Sequence, residues 1–202
     1  MTAHRGIAAI ACLALGLLCP GLHAVAQVDP LVANSTTMST FQAALRAVLA
    51  KSPDQSLWST SRRTGYRESL AADLDAPDGL LHIPAIDLSI PIFGGTTEVV
   101  LNRGIGWIES TARPGAGGNV GLAGHRDGFF RGLKDLKIGD AIELQTADGT
   151  QRYRVTEFLI VGPADVSVIE PTLEPAVTLV TCYPFYFVGH APQRYIVRGV
   201  ID

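Results

Sequence analysis

The sequence predicts a mainly β domain, a barrel or sandwich of about eight short strands with one or two small helices. Three observations predict it. Apolar residues alternate with polar ones in several short runs, the period-two signature of half-buried strands. The 202 residues include 21 Gly and 12 Pro without a triplet period, so turns are frequent and a collagen-like chain is excluded. The long helices that a Rossmann or TIM architecture places between its strands are missing from the pattern. Hydrophobic residues make up 47% of the chain, enough to exclude disorder throughout. A net charge of −3 lacks the basic excess of a general nucleic-acid binder, and no nucleic-acid partner is expected.

The elements follow in chain order. Residues 1–5 carry Arg5 and no acid, Ile7 to Leu18 is almost wholly apolar, and Ala24-Val25-Ala26 offers small residues at the positions a signal peptidase reads. This pattern predicts an export signal over residues 1–26, cleaved after Ala26 or retained as an N-terminal membrane anchor. Either way the main domain is expected outside the cytoplasm, periplasmic or at the cell surface. Residues 27–78 read as a polar tether, with a short amphipathic helix over Met38–Lys51 set by Phe41, Leu45, Val48 and Leu49. The catalytic-size domain is expected over residues 79–202.

Within it, Ile86, Leu88, Ile90 and Ile92 alternate with polar residues or Pro, which predicts a strand; Pro84 and Pro91 suggest an edge or a bulge. Thr97 to Arg103, stopped by Gly104, predicts a helix of one or two turns. Trp107-Ile108 opens a strand, residues 113–119 form a loop, and Val120–Gly124 is a short buried strand. Phe129–Leu136 makes a helical turn. Ala141–Thr146 and Gln151–Val161 flank Asp148-Gly149, a hairpin signal. Ala176–Thr181 and Arg194–Ile201 are the last two strands.

Three residues at strand ends suggest chemistry. Cys182 closes an apolar run and precedes Tyr183-Pro184; once residues 1–26 are removed it is the only cysteine, which excludes an internal disulfide and a two-Cys zinc site. His125 follows the Val120–Gly124 strand, and Arg194 opens the last one. A thiol attacks an acyl carbon as thiolate, and the departing amine needs a proton; one imidazole serves both needs. A guanidinium stabilises the oxyanion that the attack creates. Against this stand an inert core thiol, a surface histidine and a solvated strand-end arginine, with Arg198 on the same face as Arg194.

At these residues the chain resembles the sortases. The matching stretches are Leu122-Ala123-Gly124-His125-Arg126-Asp127, Thr178-Leu179-Val180-Thr181-Cys182-Tyr183-Pro184-Phe185 and Ala191-Pro192-Gln193-Arg194-Tyr195-Ile196-Val197, in order, between about residue 79 and the C-terminus. It is most similar to the class D type. The resemblance implies a closed eight-stranded β-barrel and a cysteine transpeptidase with no cofactor and no metal. It puts His125, Cys182 and Arg194 at the catalytic positions. It implies secreted protein substrates bearing a C-terminal sorting motif and an amine-bearing acceptor on cell wall, pilin or another surface protein. Thr181 and His190 are expected beside the substrate. Asp127 is a candidate orienter of His125, with pairing to Arg126 or capping of the Phe129 turn as its other readings. Trp107 stands where many relatives have His and reads as packing or groove wall. A thiol hydrolase using the same residues, an L,D-transpeptidase and a non-catalytic exported β domain are the competing readings; the stretch before Cys182 lacks the Ser-x-Gly-Cys pattern of the second.

Overall fold

The computed structural model describes residues 30–186 and 189–202, so the expected export signal lies outside the described residues. Residues 34–202 form one compact unit. Eight strands make a closed barrel: β1 (Gly79–Ile83), β2 (Leu88–Gly94), β3 (Ile105–Trp107), β4 (Asn119–Ala123), β5 (Ala141–Thr146), β6 (Gly149–Val161), β7 (Ala176–Tyr183) and β8 (Gln193–Ile201). Around the barrel they run β1-β2-β3-β4-β7-β8-β6-β5, and β5 pairs back onto β1. The pairs β2–β3 and β4–β7 are parallel; the others are antiparallel.

Period-two patterning fills the barrel. Leu81 and Ile83 of β1, Ile142 and Leu144 of β5, Tyr153 and Val155 of β6, Val177 and Leu179 of β7 and Val197 of β8 turn inward into one buried cluster. β4 is buried along nearly its whole length because loops cover its outer side. The expected hairpin forms around Ala147-Asp148, with Thr146 opposite Gly149. The helix predicted before Gly104 is α3 (Glu98–Arg103), counted here after two helices that precede the barrel. Its N-cap Thr97 side chain accepts the Val100 N–H.

Several boundaries differ from the sequence reading. Pro91 is not on an edge, since closure leaves none: it pairs with Leu80, and the β3 ladder begins one residue later at Ile92, where an N–H is again available. The helix expected at Met38–Lys51 is α1 (Pro30–Leu49), eight residues longer at its start. The stretch read as tether after it contains α2 (Thr60–Ser69) and packs against the barrel. Trp58, 7% exposed, meets Phe129 edge-on at 4.9 Å and Tyr66 at 5.7 Å. Gly65 admits the approach of α2 to α3, because a Cβ there would stand 2.7 Å from Asn102 Nδ2. Isolated polar residues gave no period to announce these contacts.

Candidate functional site

Backbone pairing sets two of the three predicted residues side by side. Cys182 and Arg194 are register partners across the antiparallel β7–β8 ladder. Their side chains therefore rise on the same outer face, neither fully buried. Tyr183 ends β7 immediately beyond Cys182, which leaves the thiol at the rim.

His125 arrives by a different route. β4 runs parallel to β7 with Ala123 opposite Val180. Beyond the end of β4, the Gly124 N–H donates to Val180 O at 3.1 Å, and the Thr181 hydroxyl donates to Gly124 O at 2.7 Å. These two bonds hold the chain against β7 up to the residue before His125, which lines the same cavity as Cys182. The His125 carbonyl then accepts N–H groups from Gly128 and Phe130, turning the backbone into the 3₁₀ turn Phe129–Asp135. Gly124 is required by Phe130, whose ring would lie 2.7 Å from a Cβ at that position.

The outcome is one cavity of about 370 Å³ lined by Cys182, His125 and Arg194 together. Leu101, Ile108, Ala123 and Val180 supply apolar walls beside them. Arg198, the alternative to Arg194, is occupied elsewhere: it donates to Val168 O at 2.8 Å and faces Glu157 at 3.7 Å. It shares in a buried anchor for the β6–β7 connection, in which Asn119 Nδ2 donates to the Val168 and Glu170 carbonyls and the Thr178 hydroxyl donates to Asn119 Oδ1.

The remaining candidates divide. Thr181 lines the same cavity, and its buried side chain donates its hydroxyl proton to Gly124 O, which fixes the strand ends. His190 is exposed in the β7–β8 loop and is not on the cavity wall. Trp107 donates its indole N–H to Ala112 O at 3.0 Å and lies under the Arg113 guanidinium, a packing role. Asp127 pairs with neither His125 nor Arg126; its Oδ1 accepts from Arg62 Nε at 3.2 Å. Arg126 instead bonds the Pro184 and Gly189 carbonyls, each at 2.9 Å, and ties down the loop after Cys182.

Sequence reasoning missed the carboxylate nearest the imidazole. Glu98 Oε1 lies 3.4 Å from His125 Nε2, out of line for a hydrogen bond, and that buried nitrogen has no other partner among the described residues. Burial, followed by the charge of Arg62, pushes the His125 pKa below its ordinary 6.5; Glu98 and Asp127 pull it upward. The imidazole is therefore mostly neutral at pH 7, able to accept a proton from a thiol or an amine. Glu98 opens α3 as an ordinary first-turn acid, and nothing in its spacing points to His125. Among the described residues, no three His, Cys, Asp or Glu side chains cluster as metal ligands.

Comparison with known proteins bears on the family and the fold. Residues 81–202 match the family model described as the Sortase domain. The chain is 32% identical over 191 residues to Sortase D of Bacillus subtilis (strain 168), covering 93% of each. It is 37% identical over 139 residues to Sortase SrtE1 of Streptomyces coelicolor, covering 59% of this chain and 39% of that one. Among solved structures it is similar to a Clostridium perfringens Sortase D5 transpeptidase, with a TM-score of 0.59, 27% identity and coverage of 84% and 98%. A sortase C1 from Streptococcus agalactiae has the same TM-score at 32% identity, covering 71% and 77%.

Proposed function

The chain belongs to the sortase family, as a class D-like cysteine transpeptidase, and from that premise we propose that Cys182, His125 and Arg194 carry its catalysis. One observation supports the assignment above the others: the three side chains, drawn from β7, the end of β4 and β8, line one cavity.

The chemistry runs as follows. Neutral His125 takes the Cys182 proton, and the thiolate attacks the scissile carbonyl carbon of a C-terminal sorting motif. The C=O pair moves to oxygen, and the Arg194 guanidinium stabilises the resulting oxyanion. Collapse breaks the C–N bond, and the imidazolium gives its proton to the departing amine. This leaves a thioester on Cys182 with His125 neutral again. An incoming amine attacks the thioester and loses a proton to His125. Collapse then expels the Cys182 thiolate, which is reprotonated, and the new amide leaves. Arg194 donates to the Ala191 and Gln193 carbonyls at 3.4 and 3.1 Å through Nη1 alone, so the other N–H groups of the guanidinium can serve the substrate oxyanion.

The acceptor is an amine of cell wall, pilin or another surface protein. The apolar walls Leu101, Ile108, Ala123 and Val180 suit an extended apolar stretch of the sorting motif. The sequence of residues 1–26 supports delivery of the domain across a membrane, with that segment cleaved as a leader or kept as an anchor. No helix among the described residues is long and apolar enough to cross a membrane.

Incubating the chain with a library of sorting peptides and a glycine-based amine tests the proposal. Ligated product that disappears in Cys182→Ala is the expected result. Hydrolysed acid as the sole product would favour water as acceptor, and ligation surviving in Cys182→Ala would overturn the assignment.

A further inference from the structure

We propose that Arg62 is a positioning residue for His125: by gripping Glu98 and Asp127 at once, it fixes where both carboxylates stand around the imidazole. The inference rests on His125 being the acid–base group proposed above. It extends the working site into α2, which precedes the family-matched stretch 81–202.

The grip joins three elements. Arg62 lies in the first turn of α2, where the side chain of the N-cap Ser59 accepts its N–H at 3.1 Å. Its Nη1 donates to Glu98 Oε1 of α3 at 3.2 Å, and its Nε donates to Asp127 Oδ1, in the turn after β4, also at 3.2 Å. The same Nη1 bonds the Oδ1 of Asn102, a buried α3 residue. A planar fork spans three acceptors in different directions, which a single ammonium cannot do. The Arg62 side chain is only 15% exposed, whereas Glu98 is 69% exposed. The guanidinium is therefore the fixed member, and it draws an otherwise free carboxylate to within 3.4 Å of His125 Nε2.

α2 is built to hold this position. Gly65 permits its close approach to α3, Trp58 and Tyr66 pack on Phe129, and Arg103 of α3 bonds back to the Ser69 and Ala72 carbonyls beyond the far end of α2. The charged and titratable groups around His125 are then Arg62 from α2, Glu98 from α3, Asp127 and Arg126 from its own turn, Cys182 from β7 and Arg194 from β8. Of these, Arg62 opposes protonation of the imidazole, and Glu98 and Asp127 favour it. A helix that merely braced the fold would leave this balance alone.

The experiment follows the His125 ring signals by NMR titration of the full chain, assigned with His125→Gln. A parallel pH profile of Cys182 alkylation by iodoacetamide needs no sorting peptide. Removing the Arg62 charge in Arg62→Gln should raise the His125 midpoint by about 0.5–1 pH unit. Glu98→Gln, at an exposed position, should lower it by a few tenths of a unit. Arg62→Lys keeps the charge but not the fork, so both carboxylates are released from the imidazole and the midpoint should fall by a few tenths of a unit, as in Glu98→Gln. It decides the matter if Arg62→Gln does not fold. An Arg62→Lys midpoint that matches the parent overturns the proposal. The outcome separates from the catalytic assignment, since ligation surviving in Cys182→Ala would sink that assignment and leave the titration result standing.

Discussion

The two sides of the cleft are held by different physics. On one side, Cys182 and Arg194 face each other across a ladder of eight paired positions between β7 and β8. Slipping that register by one residue would turn the core-facing residues of the slipped strand outward, so the core holds the pair in place. On the other side, His125 stands past the end of its strand. Two hydrogen bonds to β7, a glycine that admits Phe130, and a charge network reaching back to α2 hold it there. The Cys182 side is rigid by pairing. The His125 side is adjustable, through groups whose contributions are separately removable.

The largest expected effect breaks the first side. Cys182→Ala should reduce ligation by about 10⁴-fold or more while leaving the melting curve unchanged, since the side chain is replaced by one that fits the same strand position. Next, Arg194→Ala should lower kcat by about 10²–10³-fold through loss of oxyanion stabilisation. Arg198→Ala, which removes one of the donors to the Val168 carbonyl at the β6–β7 anchor, should act chiefly on KM for the sorting peptide. Equal losses of kcat in the two variants would mean that register does not single out Arg194.

The other side should yield through stability before chemistry. Gly124→Ala places a methyl 2.7 Å from the Phe130 ring and should cost about 1–3 kcal/mol, read as a lower Tm together with weaker alkylation of Cys182 near neutral pH. Thr181→Val strands the Gly124 carbonyl and should cost about 1–2 kcal/mol, or a few degrees in Tm.

The smallest effect is the pH dependence of stability. The His125 pKa is depressed in the folded chain, so the unfolded chain takes up the proton first as pH falls. The corresponding stability is complete above about pH 6.5, the unfolded value, and is lost as pH falls through the folded value. In His125→Gln, Tm measured between pH 7 and 5 should fall less steeply than in the parent. An identical slope would place the depressed group elsewhere.

How much of this was legible depends on how each feature is encoded. Alternation and short apolar runs announce β4 to β8 to within a residue or two, because burial imposes them directly, whereas the strand expected to open at Trp107 ends there. The Asp148-Gly149 turn announced the hairpin. α2 was missed because its ten residues are nearly all polar: it is held by Trp58 just outside it, by Gly65 and by Tyr66, and such contacts leave no period. Asp127 was a reasonable candidate for a partner of His125 on proximity in the chain. Arg62, sixty-five residues upstream, takes it instead.

The sequence by itself determined the β architecture and singled out Cys182, His125 and Arg194 as candidates, beside an export-like pattern in residues 1–26. Strand period and the local chemistry of short motifs are properties of neighbouring residues. Only the tertiary structure decided that Arg198 anchors a loop, that Thr181 locks two strands together, and that Glu98, Asp127 and Arg62 surround His125. Those facts depend on which side chains barrel closure and helix docking bring within a few ångströms. Electrostatic interaction follows distance in space, to which separation along the chain is no guide.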